Sequence, residues 1–146
     1  MRPNLHVSDK GFAAAEWVVA IGLMMLPMVM VVGSIAPWIA RQTMGREISQ
    51  EAARSIVLAV DLETGLAAAE RLADDILANY ELSRDDFEFV SIRLEPPSAG
   101  IFGGVDVVVE VRVRVPALTI PGFGAIAEVW WNTSHVEHVD DFRSFP

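Results

Sequence analysis

The carboxylate of Glu16 lies directly before a run of 24 uncharged residues, 17–40. A carboxylate in the apolar part of a membrane helix costs about 2.5–3.5 kcal/mol on insertion scales, so an unpaired one beside such a run is disfavoured. Glu16 is therefore expected either to meet a cation or to lie in the headgroup water at the edge of a membrane. The residue type alone favours the second, simpler interpretation, and both stay open at this point.

Two histidines near the C-terminus are the other residues with an evident chemistry. His135 and His138 are three residues apart in a strand-like segment, which places them on opposite faces, where they cannot share a metal. The string around them also differs from the helical zinc motifs. The chain has no cysteine, which excludes a disulfide, a thiolate zinc site and a cysteine nucleophile. Serine, histidine and aspartate occur in no recognisable active-site context. We therefore predict no catalytic residue, no metal, no cofactor and no enzyme activity.

The uncharged run is long enough to cross a membrane as one helix, because a bilayer core of about 30 Å needs roughly 20 helical residues. A secretory signal would have a shorter apolar region. Pro27 and Pro37 lie inside the run, and prolines are tolerated as bends in membrane helices. From residue 41 onward the chain holds nine basic and eighteen acidic residues, a charge of −9, so nucleic acid is not an expected partner.

A helical pattern continues past the membrane run. Apolar residues recur every three or four positions and form one narrow stripe, made of Met44, Ile48, Ala52, Ile56 and Ala59. One unbroken helix from Phe12 to Val60 would measure about 73 Å, although an anchor followed by a separate amphipathic connector fits these residues equally well. Turn formers at residues 61–65 precede a second predicted helix, residues 64–80. Its inward side chains are predicted to be Leu66, Ala69, Leu72, Ala73, Ile76, Leu77 and Tyr80.

After residue 80 the apolar period changes to two, which predicts strands. In the first strand Phe87, Phe89 and Ser91 share one face, and the strand ends at Pro96. The clearest strand covers residues 105–115, where Val105, Val107, Val109, Val111, Val113 and Val115 line one face. A helix is expected to cover that face.

The segment "PALTIPGFG" is predicted to be a loop that leads to a third strand, residues 127–139. Trp130 and Trp131 point to opposite faces of that strand, so one is expected in the core and the other exposed or at a subunit contact. The predicted fold class is α+β. It comprises a long N-terminal transmembrane helix that continues outside the membrane, a second helix and a small antiparallel sheet of about three strands.

The residues before the apolar run resemble a processing site. A short polar leader ends in Lys10 and Gly11, and Phe12, three alanines and Glu16 follow. This order is similar to that of type IV prepilins and pseudopilins. The resemblance implies that a membrane-bound prepilin peptidase cuts between Gly11 and Phe12 on the cytoplasmic side. Cleavage creates a positive α-amine at Phe12, and in a staggered stack the amine of one subunit can meet the Glu16 carboxylate of its neighbour.

The order of the later elements narrows the resemblance to TadE-type proteins, the minor pseudopilins of the tight-adherence (Tad) class of type IV pili. The similar features are the Glu16-Trp17 pair, the helical "EAARSIVLAV", the valine-rich strand leading into "PALTIPGFG" and the closing "HVDDFRS". The resemblance implies four regions. They are a cytoplasmic leader (1–11), a transmembrane helix (12–40), an extracytoplasmic helical region (41–80) and a sheet region (81–146).

The resemblance also implies a location and partners. It describes a single-pass subunit of the cytoplasmic (inner) membrane or of the pilus itself, with a cytoplasmic N-terminus and an extracytoplasmic C-terminal domain. Its partners would be the membrane, other pilin or pseudopilin subunits, prepilin peptidase and the pilus assembly platform, in a Tad-type pilus or a related secretion apparatus. The alternative is a single-pass anchor carrying an extracytoplasmic binding or sensing domain that is neither processed nor assembled.

Overall fold

The computed structural model describes residues 9–97, 101, 103–120 and 122–141, with the side chains of the first helix described from Ala13 onward. The elements in chain order are α1 (Asp9–Leu58), α2 (Leu62–Asn79), a short 3₁₀ turn (Arg84–Asp86), β1 (Phe87–Glu95), β2 (Asp106–Ile120) and β3 (Gly124–His138). The predicted α+β class is confirmed, because a long apolar helix and a second helix accompany a three-stranded antiparallel sheet.

Helix α1 is a single helix of 50 residues, which corresponds to about 75 Å. It runs through Pro27 and Pro37 without interruption, so the unbroken helix is confirmed and the separate connector is wrong. The predicted stripe forms the helix side of the core, with Met44, Ile48, Ala52 and Ile56 fully buried. Ala59 follows the last residue of the helix.

Helix α2 begins two residues earlier than the sequence predicts. Asp61 is its N-cap, and the Asp61 side chain accepts a hydrogen bond from the Thr64 amide at 2.7 Å. Gly65, predicted to belong to a turn, lies inside the helix. A Cβ atom at this position would lie 3.0 Å from the Cα atom of Ile56, so the glycine allows α2 to approach the end of α1 closely. The predicted inward face is confirmed at its buried positions, Ala69, Ala73, Ile76 and Leu77.

The sheet has the strand order β1-β2-β3, and β1 and β3 each pair with β2 in the antiparallel direction. The alternate valines of β2 face α1 and are buried, as predicted from Val105 to Val115. This face of the sheet and the stripe of α1 together form the core. The C-terminal part of α1 is therefore fixed to the sheet by apolar packing.

The alternation predicted for β1 is wrong beyond Phe89. A bulge at Val90 shifts the register, so that Ile92 and Leu94, rather than Ser91, continue the inward face. Val90 itself is exposed. A single extra residue in one strand reverses the side-chain direction of everything that follows it.

The segment "PALTI" is part of β2 and not a loop, and β3 begins at Gly124 rather than at residue 127. Pairing of β2 with β3 continues to Ile120 and Gly124, whereas pairing of β2 with β1 ends at Val113. Beyond Val113 one edge of β2 is free of β1, and a proline such as Pro116 is tolerated on a free edge. The β2–β3 hairpin consequently extends well past β1, alongside α1.

Candidate functional site

The predicted processing site lies at the start of α1. The backbone of Gly11 and Phe12 is helical, whereas residues 1–8 of the predicted leader and the Phe12 side chain lie outside the described part of the chain. Residues 12 and 16 are four apart in the helix, so they share a face and are separated by about 6 Å along the axis. A positive group on Phe12 would therefore lie on the same side as the Glu16 carboxylate.

The Glu16 side chain is exposed, and its neighbours are the small or apolar residues Ala15, Val19 and Ala20. It makes no hydrogen bond or ion pair with any side chain that the structure describes from Ala13 onward. A carboxylate in an apolar setting is stabilised by a nearby cation. A cation that pairs with Glu16 would come from another molecule or from the residues before Ala13.

The N-terminal part of α1 exposes apolar side chains on all sides. Those at least half exposed include Trp17, Val18, Val19, Leu23, Met24, Leu26, Met28, Val31 and Val32. In the described part of the chain α1 is the one helix long and apolar enough to cross a membrane, and only 6% of its most apolar 18-residue stretch is buried. The core helix of a soluble protein would bury such a stretch, so α1 is compatible with a single-pass membrane anchor.

Two tryptophans bracket this apolar part. Trp17 and Trp38 are both exposed and are 21 residues apart, which places them about 32 Å apart along the helix. That distance matches the roughly 30 Å of a bilayer core, and tryptophan is enriched at both membrane–water interfaces. The pair therefore marks where the two interfaces would lie on α1.

The first charged residue after the apolar part, Arg41, is fixed to the sheet domain. Its Nη1 atom donates to the backbone oxygen of Arg114 at 2.8 Å and pairs with Oδ1 of Asp86 at 3.3 Å. Seven residues earlier on α1, Oγ of Ser34 donates to the Met30 carbonyl and accepts from the Thr119 amide, both at 2.8 Å. These contacts hold the extended hairpin against the apolar part of the helix.

The two tryptophans of β3 lie on opposite faces, as predicted. Trp131 packs against the core beside Gly45, whose missing side chain lets α1 approach the sheet, and the Arg46 guanidinium lies 5.5 Å from its ring centre. Trp130 is exposed on the outer face, with the guanidinium carbons of Arg112 and Arg114 at 4.9 and 5.1 Å from its ring centre. Cation–π stacking with these two arginines thus holds the Trp130 ring beside Arg114, its neighbour across the two strands.

The two histidines also lie on opposite faces. Nε2 of His135 is 3.1 Å from Oε2 of Glu137 on the helix side, and Nδ1 of His138 is 2.6 Å from Oδ1 of Asp106 on the outer side. The hydrogen bond and charge of Asp106 raise the pKa of His138 above its ordinary value of 6.5, against the opposing effect of desolvation. The nearby carboxylate of Asp141 raises it further. Within the described ranges no three such side chains are grouped closely enough to hold a metal ion.

Sequence reasoning missed the contacts that hold the hairpin to α1. One signal in the sequence is the absence of charged residues between Arg114 and Glu128, which indicates an apolar segment but not the element that it contacts. In the structure these two flanking residues form an ion pair at 3.6 Å.

No family model matches the sequence, no curated protein matches it, and no solved structure matches the fold. The chain's role must therefore be inferred from its own residues.

Proposed function

We propose that this chain is a pilin-like membrane subunit of the TadE type that assembles into or beneath a Tad-type pilus through its N-terminal helix. The observation that carries the proposal is the division of α1 into two parts. One part exposes apolar side chains and Glu16, which has no ion-pair partner among the side chains described from Ala13 onward, and the other part is buried against the sheet from Met44 to Ile56. A helix of this kind can pack against other membrane helices while it carries a folded domain.

The role proposed for Glu16 follows from its surroundings. Cleavage between Gly11 and Phe12 would place a positive amine one helical turn before the carboxylate and on the same face. In a stack of staggered helices, the amine of one subunit would neutralise the Glu16 carboxylate of the next. An ion pair in a low-dielectric environment is much stronger than the same pair in water, so it would select the register of neighbouring subunits.

The contacts of Arg41 support a role in assembly for the whole chain. Because Arg41 and the buried stripe fix the sheet domain to α1, displacement of the helix would carry the domain with it. We place the N-terminus in the cytoplasm and the domain outside the cytoplasmic membrane. The proposed partners are prepilin peptidase, other pilin-like subunits and the assembly platform, and the proposed role is structural and not catalytic.

A second candidate function is a membrane-anchored binding or sensing domain that is not processed. A largely apolar cleft between α2 and β1 favours this candidate, and Leu62, Leu66, Ile92 and Pro97 contribute to its walls. Ligand-binding clefts are commonly lined in this way, by apolar side chains with a few polar groups. The two candidates differ in what happens to the N-terminus, because an anchor alone needs no cleavage at Gly11.

Processing is tested by co-expressing the full chain with an active prepilin peptidase and sequencing the N-terminus of the product. We expect the chain to begin at Phe12, and a peptidase with an inactivated catalytic site should leave it beginning at Met1. Replacing the cleavage-site residue, as in Gly11→Val, should block the cut with the active peptidase. An unchanged N-terminus with active peptidase would exclude the processing claim and favour the anchored domain.

Assembly is tested separately with Glu16→Ala. This variant should be cleaved and inserted into the membrane like the unmodified chain, but it should fail to co-purify with other subunits or the filament. A matched control is Glu63→Ala, which removes a carboxylate from the first turn of α2, outside the apolar part. Normal assembly of the Glu16→Ala chain would show that the carboxylate has no role in subunit contact.

A further inference from the structure

We propose that the tip of the β2–β3 hairpin is a second membrane-contacting element, which enters the bilayer from the domain's side and lies along α1. The hairpin tip is defined here as residues 116–120 and 122–127. This inference rests on α1 crossing the membrane, and it does not depend on cleavage at Gly11 or on assembly into a pilus. The proposed occupant of the apolar surface at the hairpin tip is lipid, and not a second protein.

The first argument is the position of the hairpin tip along α1. Thr119 contacts Ser34, and Ile120 lines a groove beside α1 together with Met25, Leu26 and Met30. The hairpin therefore extends from the level of Arg41 back along the helix toward its N-terminus. Met30 is 11 residues before Arg41, which corresponds to about 16 Å along the helix axis.

The second argument is the thickness of the bilayer, which sets how many residues of α1 lie inside it. A span of roughly 20 residues that begins at Trp17 ends at Ala36, and a span that begins as early as Phe12 ends at Val31. Both spans include Met30, which lies beside Ile120. The sheet domain cannot therefore occupy its place on α1 without bringing the hairpin tip to the membrane.

The third argument is the chemistry of the hairpin tip. It carries no charged residue, and its turn presents Phe123, which is 86% exposed. Ile126 is 54% exposed beside it, and Leu118 and Ile120 are partly buried. An exposed phenylalanine on a charge-free hairpin is unfavourable in water, whereas it gains free energy when it enters the acyl boundary.

The fourth argument is that the charged residues begin at the same height along the α1 axis on the helix and on the hairpin. Arg41 contacts Arg114, and Arg114 pairs with Glu128 across the hairpin. Trp38 lies near this level on α1 and faces the start of the hairpin tip, while Trp130 lies at this level on β3. Aromatic residues and arginines at one depth are typical of a membrane–water interface.

The backbone of the hairpin tip is also suited to this place. A free strand edge in an apolar medium is costly because its N–H and C=O groups lack partners. On the edge that β1 leaves free, Arg41 binds the Arg114 carbonyl, Ser34 accepts from the Thr119 amide, and Pro116 has no N–H. The helix thus replaces hydrogen bonds that β1 does not supply.

The absence of cysteine allows a direct test with single labelled cysteines in the full chain. We would introduce Phe123→Cys at the turn and Ala125→Cys in β3, attach an environment-sensitive fluorophore, and reconstitute each chain into phosphatidylcholine–phosphatidylglycerol vesicles. The matched control is Val136→Cys, an exposed position near the opposite end of the same strand. Nitroxide lipids carrying the spin label near the top of the acyl chain serve as quenchers.

We expect blue-shifted emission and several-fold stronger lipid quenching at positions 123 and 125 than at position 136. Circular dichroism and resistance to proteolysis verify that each labelled chain is folded. Equal quenching at all three positions would overturn the proposal. A blue shift without lipid quenching, which weakens as the protein is diluted in lipid, would also overturn it and would assign the hairpin tip to a contact between copies of the chain.

Discussion

The guanidinium of Arg41 donates a hydrogen bond to the backbone oxygen of Arg114, 2.8 Å away, and so joins the first charge after the apolar helix to the last charge before the hairpin tip. Arg41 also pairs with Asp86, and both side chains are about one-fifth exposed. The Arg41 side chain thus connects α1, the 3₁₀ turn and β2 at one position along the helix axis. The position of the domain along the helix depends on this contact as well as on apolar packing.

Arg41→Ala should therefore destabilise the domain. It removes a charge-assisted hydrogen bond and a partly buried ion pair, whose loss we expect to lower the free energy of unfolding by about 1–2 kcal/mol. The measurement is urea unfolding in a membrane-mimetic, followed by tryptophan fluorescence. Arg54→Ala is the control, because Arg54 is exposed on the same helix. Equal midpoints for the two variants would contradict the role assigned to Arg41.

Ser34→Ala should loosen the hairpin without unfolding the domain. The variant leaves the Thr119 amide without its acceptor, and the net contribution of such a hydrogen bond is about 1 kcal/mol. We expect faster amide hydrogen exchange at Thr119 and its neighbours in β2. Ser55→Ala is the control, because the Ser55 hydroxyl donates only to a carbonyl of its own helix, that of Ala52. Unchanged exchange at Thr119 in Ser34→Ala would argue against the contact.

Gly45→Leu should disrupt the packing of α1 on the sheet. A side-chain carbon at Gly45 would lie 3.2 Å from a methyl group of Val113 and 3.4 Å from the Trp131 ring, so larger groups cannot fit without displacing them. Overpacking of this kind costs about 1–3 kcal/mol. Gly22→Leu is the matched control on the same helix, because no atom lies within 4 Å of a side-chain carbon there. Thermal unfolding should separate the two variants, and a Gly45→Leu chain as stable as Gly22→Leu would be inconsistent with the packing described.

The pair of His138 and Asp106 should make stability depend on pH. Because the folded-state pKa of His138 is raised above 6.5, the stability it contributes is fully present below pH 6.5 and is lost as the pH rises through the folded-state pKa. Asp106→Asn should lower the His138 pKa, measured by NMR titration of the imidazole. The difference in stability between the unmodified chain and His138→Gln should shrink as the pH rises through the same range. An imidazole titration unchanged by Asp106→Asn would exclude the pairing.

The sequence by itself determined that two helices and the principal strand form, although it left open whether α1 continues without a break from the apolar run. An apolar run of 24 residues predicts a membrane-length helix from its length alone, while a stripe with a spacing of three and four and a row of alternate valines each define one buried face, so local pattern was sufficient. The same patterns placed Trp130 and Trp131, and likewise His135 and His138, on opposite faces. The position of Glu16 before the apolar run was also evident from the sequence, whereas its partner remains a proposal.

Only the tertiary structure decided where the hairpin goes. Proline and glycine in "PALTIPGFG" predict a loop from local preference, but α1 continues beside this segment and supplies Ser34 and Arg41 as partners for the free edge of β2. The bulge at Val90 is equally invisible in the sequence, because register depends on the neighbouring strand. Contacts between residues as distant as Ser34 and Thr119 are set by packing of the folded chain, and no local pattern encodes them.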